Sequence, residues 1–493
     1  MTALEGTHVR VLVVGAGFAG IGAGIRLARS GERSFLVLER AGTVGGTWRD
    51  NTYPGAACDI PSHLYSFSFA PKPDWRRRFA PAEEIHQYLQ ECAEEVSGHI
   101  RCGVRMLSAA WDDDERCWRV LTSAGTVTAS VLVLAPGRFT RPALPELPGL
   151  VTFPGPVCHT ARWDPSIAPE GTRVGVVGSG ASAVQVAPAL AEQGAEVTVF
   201  QRSAPWIIPK GDAAYDRAER QAFAGNSEAR AAHRAEIFQD LDAGFEARVL
   251  GTEAHEALRR RAQEHLHRSI PPGPVRDALA PASEVGCKRV LLSDDFYPAA
   301  ASGAVSVEAS APVTVRGQSV RAASGRTYEL DALVFATGFD ASRPAIASAV
   351  FGRGGTSLAE HWAGGMTSYA STAVSGFPNC MLLGGPNAAL GHNSAVAMLE
   401  AQFEQLLSTL AAVPRGGVWE ARPEAERAYT AMIDERAAAT AWVSPGCTSW
   451  YRDRGTGRVT LLWPGTAEEY RRRYAAFRPE HYMLSSTPAE TPA

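Results

Sequence analysis

The sequence predicts an α/β protein built from two doubly wound units, with a helical insertion after the second glycine turn. Two segments share one pattern: a β-branched run typical of a buried strand, a glycine-rich turn, then an Ala- and Leu-rich helical stretch. The two runs are residues 9–14 and 173–177. Residues 210–270 contain no proline and intermix Ala with charged residues, which predicts helices that cover a cleft. The repeated order of strand, glycine-rich turn and helix is typical of Rossmann-like dinucleotide-binding domains.

The first glycine turn carries Gly15, Gly17 and Gly20 directly after its strand. Glycines there let the backbone approach a pyrophosphate, which binds to amide N–H groups at the positive end of the following helix. The next predicted strand ends at Glu39, where a carboxylate is suited to ribose hydroxyls. Strand, turn, helix, strand and acid in this order predict a site for FAD or NAD.

The second glycine turn has Gly178, Ser179, Gly180 and Ser182, and its second strand is followed by Arg202 instead of an acid. A guanidinium at this place suits the 2′-phosphate of NADP, which a carboxylate would repel. The second unit is therefore predicted to bind NADPH in preference to NADH.

Bulk composition excludes several classes of protein. The net charge of −4 does not show the excess of positive charge expected for a general nucleic-acid-binding surface. The sequence has no apolar run of about 18 residues, so it predicts no membrane-spanning helix. The first residues lack the basic and apolar regions of a signal peptide, so we expect a cytoplasmic location. The eight cysteines include no C-x-x-C pair, which argues against a zinc site or a redox dithiol. We expect all eight to be reduced thiols and assign no metal ligands.

A twelve-residue segment carries the most specific motif. Phe153, Gly155, His159, Trp163 and Asp164 fill every specified position of the pattern F-x-G-x-x-x-H-x-x-x-W-D. This segment resembles the fingerprint of type I Baeyer–Villiger monooxygenases. Residues 45–48 and 53–59 are similar to the flavin-contact region of flavoprotein monooxygenases, and residues 286–289 resemble the segment that carries the family's active-site arginine.

The resemblance implies a reaction and a set of functional residues. NADPH would reduce FAD, the reduced flavin would capture O₂ as a peroxide, and this peroxide would insert oxygen beside a ketone carbonyl to give an ester or lactone. Arg289 would stabilise the oxyanions, because an arginine stays charged and presents fixed donors, and Asp59 would orient it. His159 is expected to hold two domains in register, not to act as the base. The implied cofactor contacts are Gly46, Thr47, Trp48, Asp59 and Tyr65 for FAD, and Lys288 and Trp450 for NADPH.

The expected domain boundaries follow from these assignments. Residues 1–145 and 326–493 would form the FAD-binding domain, and residues 146–325 the NADPH-binding domain, with the helical insertion at about 210–280. The apolar run 332–336 is expected to mark the return of the chain to the first domain. The tail from Leu484 has the composition of a disordered end.

Some features depart from the family pattern and point to a branch. Ala57 stands at a position where the best-known ketone-oxidising members of the family frequently have an arginine. Residues 385–394, 447–451 and 463–465 resemble the branch near the 4-hydroxyacetophenone monooxygenases. For Trp450, a role on a loop that closes over the nicotinamide nucleotide and a plain core position are both open.

Three other functions are compatible with two nucleotide sites. A monooxygenase that acts on sulfur or nitrogen would depend less on Arg289. A pyridine-nucleotide disulfide reductase would need a C-x-x-x-x-C pair beside the flavin, where only Cys58 lies. A flavin-binding sensor would not need the candidate arginine. The sequence predicts a small ketone and O₂ as partners, and it does not predict the oligomeric state.

Overall fold

The fold was analysed in a computed structural model, which describes residues 4–485. Within that range the strands are, in chain order, Thr7–Val14 (β1), Phe35–Glu39 (β2), Ile100–Cys102 (β3), Met106–Asp112 (β4), Cys117–Thr122 (β5), Gly125–Leu134 (β6), Val157–His159 (β7), Arg173–Val177 (β8), Glu196–Phe200 (β9), Ile207–Ile208 (β10), Leu291–Leu292 (β11), Val305–Glu308 (β12), Pro312–Arg316 (β13), Ser319–Ala322 (β14), Thr327–Glu329 (β15), Ala332–Phe335 (β16), Val350–Phe351 (β17), Cys380–Leu382 (β18), Val418–Ala421 (β19) and Tyr482–Ser485 (β20).

The α-helices of the same range are Phe18–Arg29 (α1), Thr47–Asp50 (α2), Ala82–Glu94 (α3), Ala181–Glu192 (α4), Arg217–Gly225 (α5), Ser227–Ala243 (α6), Glu253–Ser269 (α7), Pro274–Leu279 (α8), Phe296–Ala301 (α9), Leu358–His361 (α10), Ala395–Ala412 (α11), Pro423–Ala437 (α12) and Ala467–Tyr474 (α13). Strands alternate with helices in both units, so the predicted α/β class with two Rossmann-like domains is confirmed.

The first sheet has the order β17-β4-β5-β6-β1-β2-β3, and β18 pairs with β6. β1 is parallel to β2 and β6, whereas β4, β5 and β6 form an antiparallel meander. Successive residues of β1 point to opposite faces: Val11 and Val13 pack under α1 and α11, and Leu12 and Val14 pack on the other side. Both faces of the sheet are therefore buried, as expected for strands that read as continuous apolar runs.

The second sheet is parallel throughout, in the order β12-β9-β8-β16-β7. The apolar run at 332–336 was expected to belong to the first domain, and this prediction is wrong. Its strand, β16, pairs with β8 and β7, so the chain returns to the first sheet only afterwards, through β17 and β18. A short buried strand fits the centre of either sheet, so its apolar pattern does not identify its partner.

The predicted helical insertion is present as α5, α6 and α7. It is anchored on the first unit by a buried arginine, since Arg234 donates to the backbone oxygens of His63, Leu64 and Ser66 at 2.7, 3.1 and 2.8 Å. Asp242 in α6 accepts from the amide of Ala467 at 2.7 Å. The insertion therefore bridges the two units.

Two expectations concern the ends and surface of the chain. Leu484 and Ser485 belong to β20, which pairs with β19, so the prediction of a disordered end is wrong for these two residues. The rest of that predicted tail lies outside the described residues. Within residues 4–485, no helix is long and apolar enough to cross a membrane. The cytoplasmic location stays a prediction.

Candidate active site

Two glycines of the first turn are packed too closely for any side chain. A Cβ atom on Gly15 would lie 2.3 Å from the carbonyl oxygen of Ala135, and one on Gly20 would lie 1.7 Å from that of Gly15. Gly15 also has a φ of 108°, which favours glycine. Gly17 leads directly into α1, whose first N–H groups face the turn. This arrangement fits the pyrophosphate of FAD.

Glu39 lies at the end of β2, beside this turn. Its carboxylate accepts from the amides of Ala16 at 3.0 Å and Ala41 at 2.9 Å, and Arg49 pairs with it at 3.1 Å. These contacts fix the carboxylate at the position where the ribose of a dinucleotide is expected. Glu39 thus lies at the end of β2, as the sequence predicts, and its contact with the ribose stays a prediction.

The predicted flavin-contact segment folds back onto the first turn. A Cβ on Gly46 would lie 3.2 Å from the Cα of Gly17, so the chain at Gly46 and Thr47 lies directly over the turn. Trp48 Nε1 donates to the hydroxyl of Tyr65 at 3.3 Å, and the two rings meet edge to face. Burial raises the pKa of Tyr65, which keeps its hydroxyl neutral. These residues form one wall beside the glycine turn.

The second glycine turn has the same geometry. A Cβ on Gly178 would lie 2.4 Å from the carbonyl oxygen of Ala336, whereas one on Gly180 would meet no atom within 4 Å. Ser179 Oγ donates to the backbone oxygen of Ser203 at 2.8 Å. Ser182 lies in the first turn of α4 and hydrogen-bonds Tyr53 of the first unit. The open face at Gly180 leaves room for a phosphate against the backbone.

Two cations meet at the end of β9. Lys288 Nζ donates to Ser203 Oγ at 2.9 Å, and Arg202 precedes that serine in the chain. Burial and the nearby positive charge of Arg202 lower the pKa of Lys288. Two cations that repel each other in this way form a suitable site for a doubly charged 2′-phosphate. The residues therefore fit NADP.

Asp59 and Arg289 form an ion pair between the two units, with Arg289 Nε 2.7 Å from Asp59 Oδ2. About a quarter of each side chain is exposed, at 25% and 24%. The adjacent carboxylate raises the pKa of Arg289 despite the opposing effect of burial. Burial alone would raise the pKa of Asp59, but the charge and hydrogen bond of Arg289 hold it below its usual value. Both groups are therefore charged at neutral pH.

Sequence reasoning missed two groups beside this pair. Tyr451 is buried next to Arg289, and burial raises the pKa of its hydroxyl to about 12. Lys210 adds a second positive charge near Asp59 and helps to lower the pKa of this acid. Lys210 stands in no recognisable motif, and the pattern at 447–451, which includes Tyr451, does not indicate that this residue lies beside Arg289.

His159 joins the two linkers between the units. Its Nε2 donates to the carbonyl oxygen of Gly338 at 3.1 Å, while Nδ1 accepts from the amide of Ala161 at 3.1 Å. Burial lowers the pKa of His159, which favours this neutral form. Both ring nitrogens are thus occupied by backbone groups, consistent with the expected role in domain register.

Trp450 is not a core residue, since 39% of it is exposed. Its ring contacts Phe139 at 5.7 Å and Tyr451 at 4.5 Å between centroids. Phe139 in turn packs against Phe339, which contacts His159. An exposed aromatic at the edge of the Arg289 site has the position that a closing loop requires.

The expectation of eight reduced thiols is wrong for one pair. Cys287 and Cys447 form a disulfide with a Cα–Cα distance of 5.7 Å, and they are 160 positions apart in the chain. The fold juxtaposes two cysteines that have no local spacing signal. The bond links the Arg289 segment to the loop that carries Trp450. The remaining cysteines are free.

Other chemistries have less support in these residues. Cys58 is a free, buried thiol whose pKa burial raises, so it is neither a nucleophile nor part of a dithiol. Within residues 4–485, no group of three His, Cys, Asp or Glu side chains is arranged to hold a metal ion.

Two glycine turns of the dinucleotide-binding type, together with an ion pair between their units, are the features of a flavoprotein that uses NADPH. A family model described as pyridine nucleotide-disulphide oxidoreductase matches residues 12–217, which contain both glycine turns. A Baeyer–Villiger monooxygenase from Streptomyces coelicolor is 41% identical over 99% of this chain and 95% of its own length. One from Pseudomonas aeruginosa is 37% identical over 98% of this chain and 92% of its own length. The chain therefore belongs to the Baeyer–Villiger monooxygenases.

Solved structures agree with this assignment. A closed crystal structure of cyclohexanone monooxygenase has a TM-score of 0.86 and 28% identity, and the match covers 98% of this chain and all of that one. An oxidised steroid monooxygenase bound to NADP has a TM-score of 0.83 and 29% identity, over 97% and 99% of the two chains. The protein is an FAD- and NADPH-dependent monooxygenase of the Baeyer–Villiger type.

Proposed function

We propose that Arg289, oriented by Asp59, is the positive group on which ketone oxygenation depends in this enzyme. The observation that carries this proposal is the 2.7 Å ion pair between the two units, which is close to Tyr451 and beside the Trp450 loop. FAD, when bound, takes hydride from NADPH and supplies the activated oxygen. The protein must then stabilise negative charge on the reacting oxygens and exclude water.

Arg289 is suited to the electrostatic part of this task. It stays charged, because Asp59 raises its pKa, and it still has donors that the Nε contact with Asp59 leaves free. Fixed positive charge in a site with little water stabilises an oxyanion strongly. Asp59 is a positioning residue in this scheme, since it holds the guanidinium through one hydrogen bond and prevents it from rotating away.

The cofactor contacts divide between the two units. We propose that Gly15, Gly17, Gly20 and Glu39 bind the adenosine diphosphate part of FAD. The flavin end would lie against the wall formed by Gly46, Thr47, Trp48 and Tyr65. For NADPH, we propose that Gly178, Ser179, Gly180 and Ser182 bind the pyrophosphate and that Arg202 and Lys288 bind the 2′-phosphate. These assignments rest on the glycine geometry and on the pair of cations.

We further propose an aryl ketone as the substrate class. The residue patterns at 385–394, 447–451 and 463–465 favour the branch near the 4-hydroxyacetophenone monooxygenases. Phe139, Phe339 and Trp450 add a cluster of aromatic rings beside the site, and all three are at least partly exposed. Offset and edge-to-face contacts with such rings are favourable for an aromatic substrate.

The Arg289→Ala variant tests the proposal. We expect it to bind FAD and to be reduced by NADPH, while ester formation from acetophenone falls by about 10²–10³-fold, the usual cost of losing an oxyanion-stabilising donor. Arg260→Ala, which removes an exposed arginine from α7, serves as the matched control. Ester formation by Arg289→Ala at the wild-type rate would show that ketone oxygenation does not depend on Arg289.

A further inference from the structure

A second arginine of the site, Arg248, is partly buried and forms no ion pair with a carboxylate among the residues that the structure describes. It ends a short helical turn, Glu246–Arg248, between α6 and α7 of the insertion. Its Nη2 donates to the carbonyl oxygen of Gly391 at 3.2 Å. Tyr451, Arg289 and His392 are ionisable groups close to it, and no Asp or Glu within residues 4–485 is among the groups that shift its pKa.

The backbone holds Arg248 at a fixed place. The amide of Leu250 donates to the carbonyl oxygen of Ala439 at 2.9 Å, and Val249 forms a β-bridge with Thr440. The side chain passes Gly286, where a Cβ would lie 3.6 Å from the Arg248 Cδ. The guanidinium is therefore attached to a rigid junction between the insertion and the first unit, close to the segment that carries Arg289.

Asp242, a carboxylate of the insertion, lies 3.6 Å from His392 Nε2 and forms no ion pair with Arg248. Asp242 in α6 accepts from the amides of Ala467 and Glu468 at 2.7 and 3.1 Å and from Asn393 Nδ2 at 3.0 Å. Asp59 forms its ion pair with Arg289, and Lys210, which also lies near Asp59, pairs with Asp212. Arg248 and Arg289 thus bring two positive charges to the site, and one negative charge offsets them.

This imbalance has a physical cost. Burial lowers the pKa of Arg248 to about 10, so the group remains charged at neutral pH. A buried charge without a partner is strongly unfavourable, and strongly perturbed groups of this kind concentrate at functional sites. An anion beside Arg248 would remove the penalty. The cofactor phosphates already have matched sites at the two glycine turns and at Arg202 and Lys288.

We propose that Arg248 binds a carboxylate of the substrate, so that the enzyme prefers ketones that carry an acid group over neutral ketones of the same size. This inference rests on the proposed function, because it names the substrate class of the same site. A guanidinium presents a planar fork of donors that matches a carboxylate, and Nη2 alone is occupied by a protein oxygen. Arg248 is a specificity-determining residue in this account, while Arg289 acts at the carbonyl.

The test compares two ketones that differ in charge. We would measure kcat/KM for 4-acetylbenzoate and for 4-acetylbenzamide, with ester products quantified by mass spectrometry. The wild-type enzyme is expected to prefer the acid by about 10–100-fold, the discrimination that one charge-assisted pair provides. Arg248→Met should lose this preference, because its kcat/KM is expected to fall more for the acid than for the amide. Arg248→Lys should retain part of the preference, and Arg260→Met should retain all of it.

Several outcomes would overturn the assignment. Equal kcat/KM values of the wild-type enzyme for the two ketones would by themselves overturn the assignment of Arg248. A loss of both activities in Arg248→Met, with no recovery in Arg248→Lys, would make the residue structural. Failure of the proposed function would look different, because both ketones would be returned unchanged while NADPH was still consumed.

Discussion

The guanidinium of Arg289 lies 2.7 Å from the carboxylate of Asp59, although the two residues are 230 positions apart in the chain. Asp59 follows the flavin-contact segment of the first unit, and Arg289 comes from the second unit near β11. The pair therefore exists only when the two nucleotide-binding units are docked. The Asp59–Arg289 pair is therefore expected to form in the same arrangement of the two units that brings their cofactors together.

Asp59→Asn should weaken the interaction that orients the guanidinium of Arg289, while Arg289 keeps its own charge. We expect FAD binding to persist and ester formation to fall less than in Arg289→Ala, because the guanidinium remains but loses its fixed orientation. We also expect more NADPH to be used without product, measured as hydrogen peroxide per NADPH. An unchanged ratio of product to NADPH would contradict a positioning role for Asp59.

The same pair predicts a pH dependence of stability. Because the folded state lowers the pKa of Asp59, this group contributes stability above its unfolded pKa of about 3.9. The contribution is lost as pH falls through the lower folded value. The difference in Tm between the wild-type protein and Asp59→Asn should therefore shrink as the pH is lowered toward 3. A constant difference across this range would argue against a charged pair.

Arg202→Ala should raise the KM for NADPH by about 10–100-fold and leave the KM for NADH nearly unchanged, because only NADPH carries the 2′-phosphate. Lys288→Met should act in the same direction. Arg40→Ala is the matched control, since Arg40 follows the corresponding strand of the first unit. Equal effects on the two nucleotides would exclude the phosphate assignment.

The disulfide between Cys287 and Cys447 should be detectable directly. Alkylation of the unfolded, unreduced protein is expected to label the six free cysteines and leave this pair unmodified. The double variant Cys287→Ser, Cys447→Ser should lose about 2–4 kcal/mol of unfolding free energy, because the bond closes a long loop. It should also release more hydrogen peroxide, since the Trp450 loop loses an anchor. Cys92→Ser is the control, and alkylation of all eight cysteines would disprove the bond.

His159→Gln tests the role of the linker histidine. We expect lower stability at pH 8, by about 1 kcal/mol for each backbone hydrogen bond lost. Because burial lowers the pKa of His159, the wild-type protein should lose stability as pH falls below about 6.5, the unfolded value, while the variant loses less. A variant with wild-type stability at every pH would show that His159 does not stabilise the junction between the domains.

Local signals in the sequence were enough to predict the two nucleotide sites. Gly15 and Gly178 stand in turns whose tight packing any larger residue would disrupt, so the requirement is visible in a few consecutive residues. Glu39 ends its strand and Arg202 follows its strand closely, at positions where such a unit is expected to present a side chain to the ribose. The pairing of Asp59 with Arg289 was predicted through the family resemblance, since spacing alone cannot show it.

The features that were missed depend on contacts between distant segments. Cys287 and Cys447 approach each other only when the C-terminal loop meets the second unit. β16 was placed in the wrong sheet, because its apolar residues suit either buried position. Arg248 lies in a charged, helical stretch and looks like any solvated arginine there. Its significance comes from what the fold places around it.

The most direct test of the central claim is product analysis with ¹⁸O₂. The purified protein, loaded with FAD and supplied with NADPH, would be given acetophenone, and the products would be analysed by mass spectrometry. The account predicts phenyl acetate with one atom of ¹⁸O in the new ester linkage and one NADPH consumed per product. Unchanged acetophenone, together with efficient oxidation of a thioether such as thioanisole under the same conditions, would contradict it.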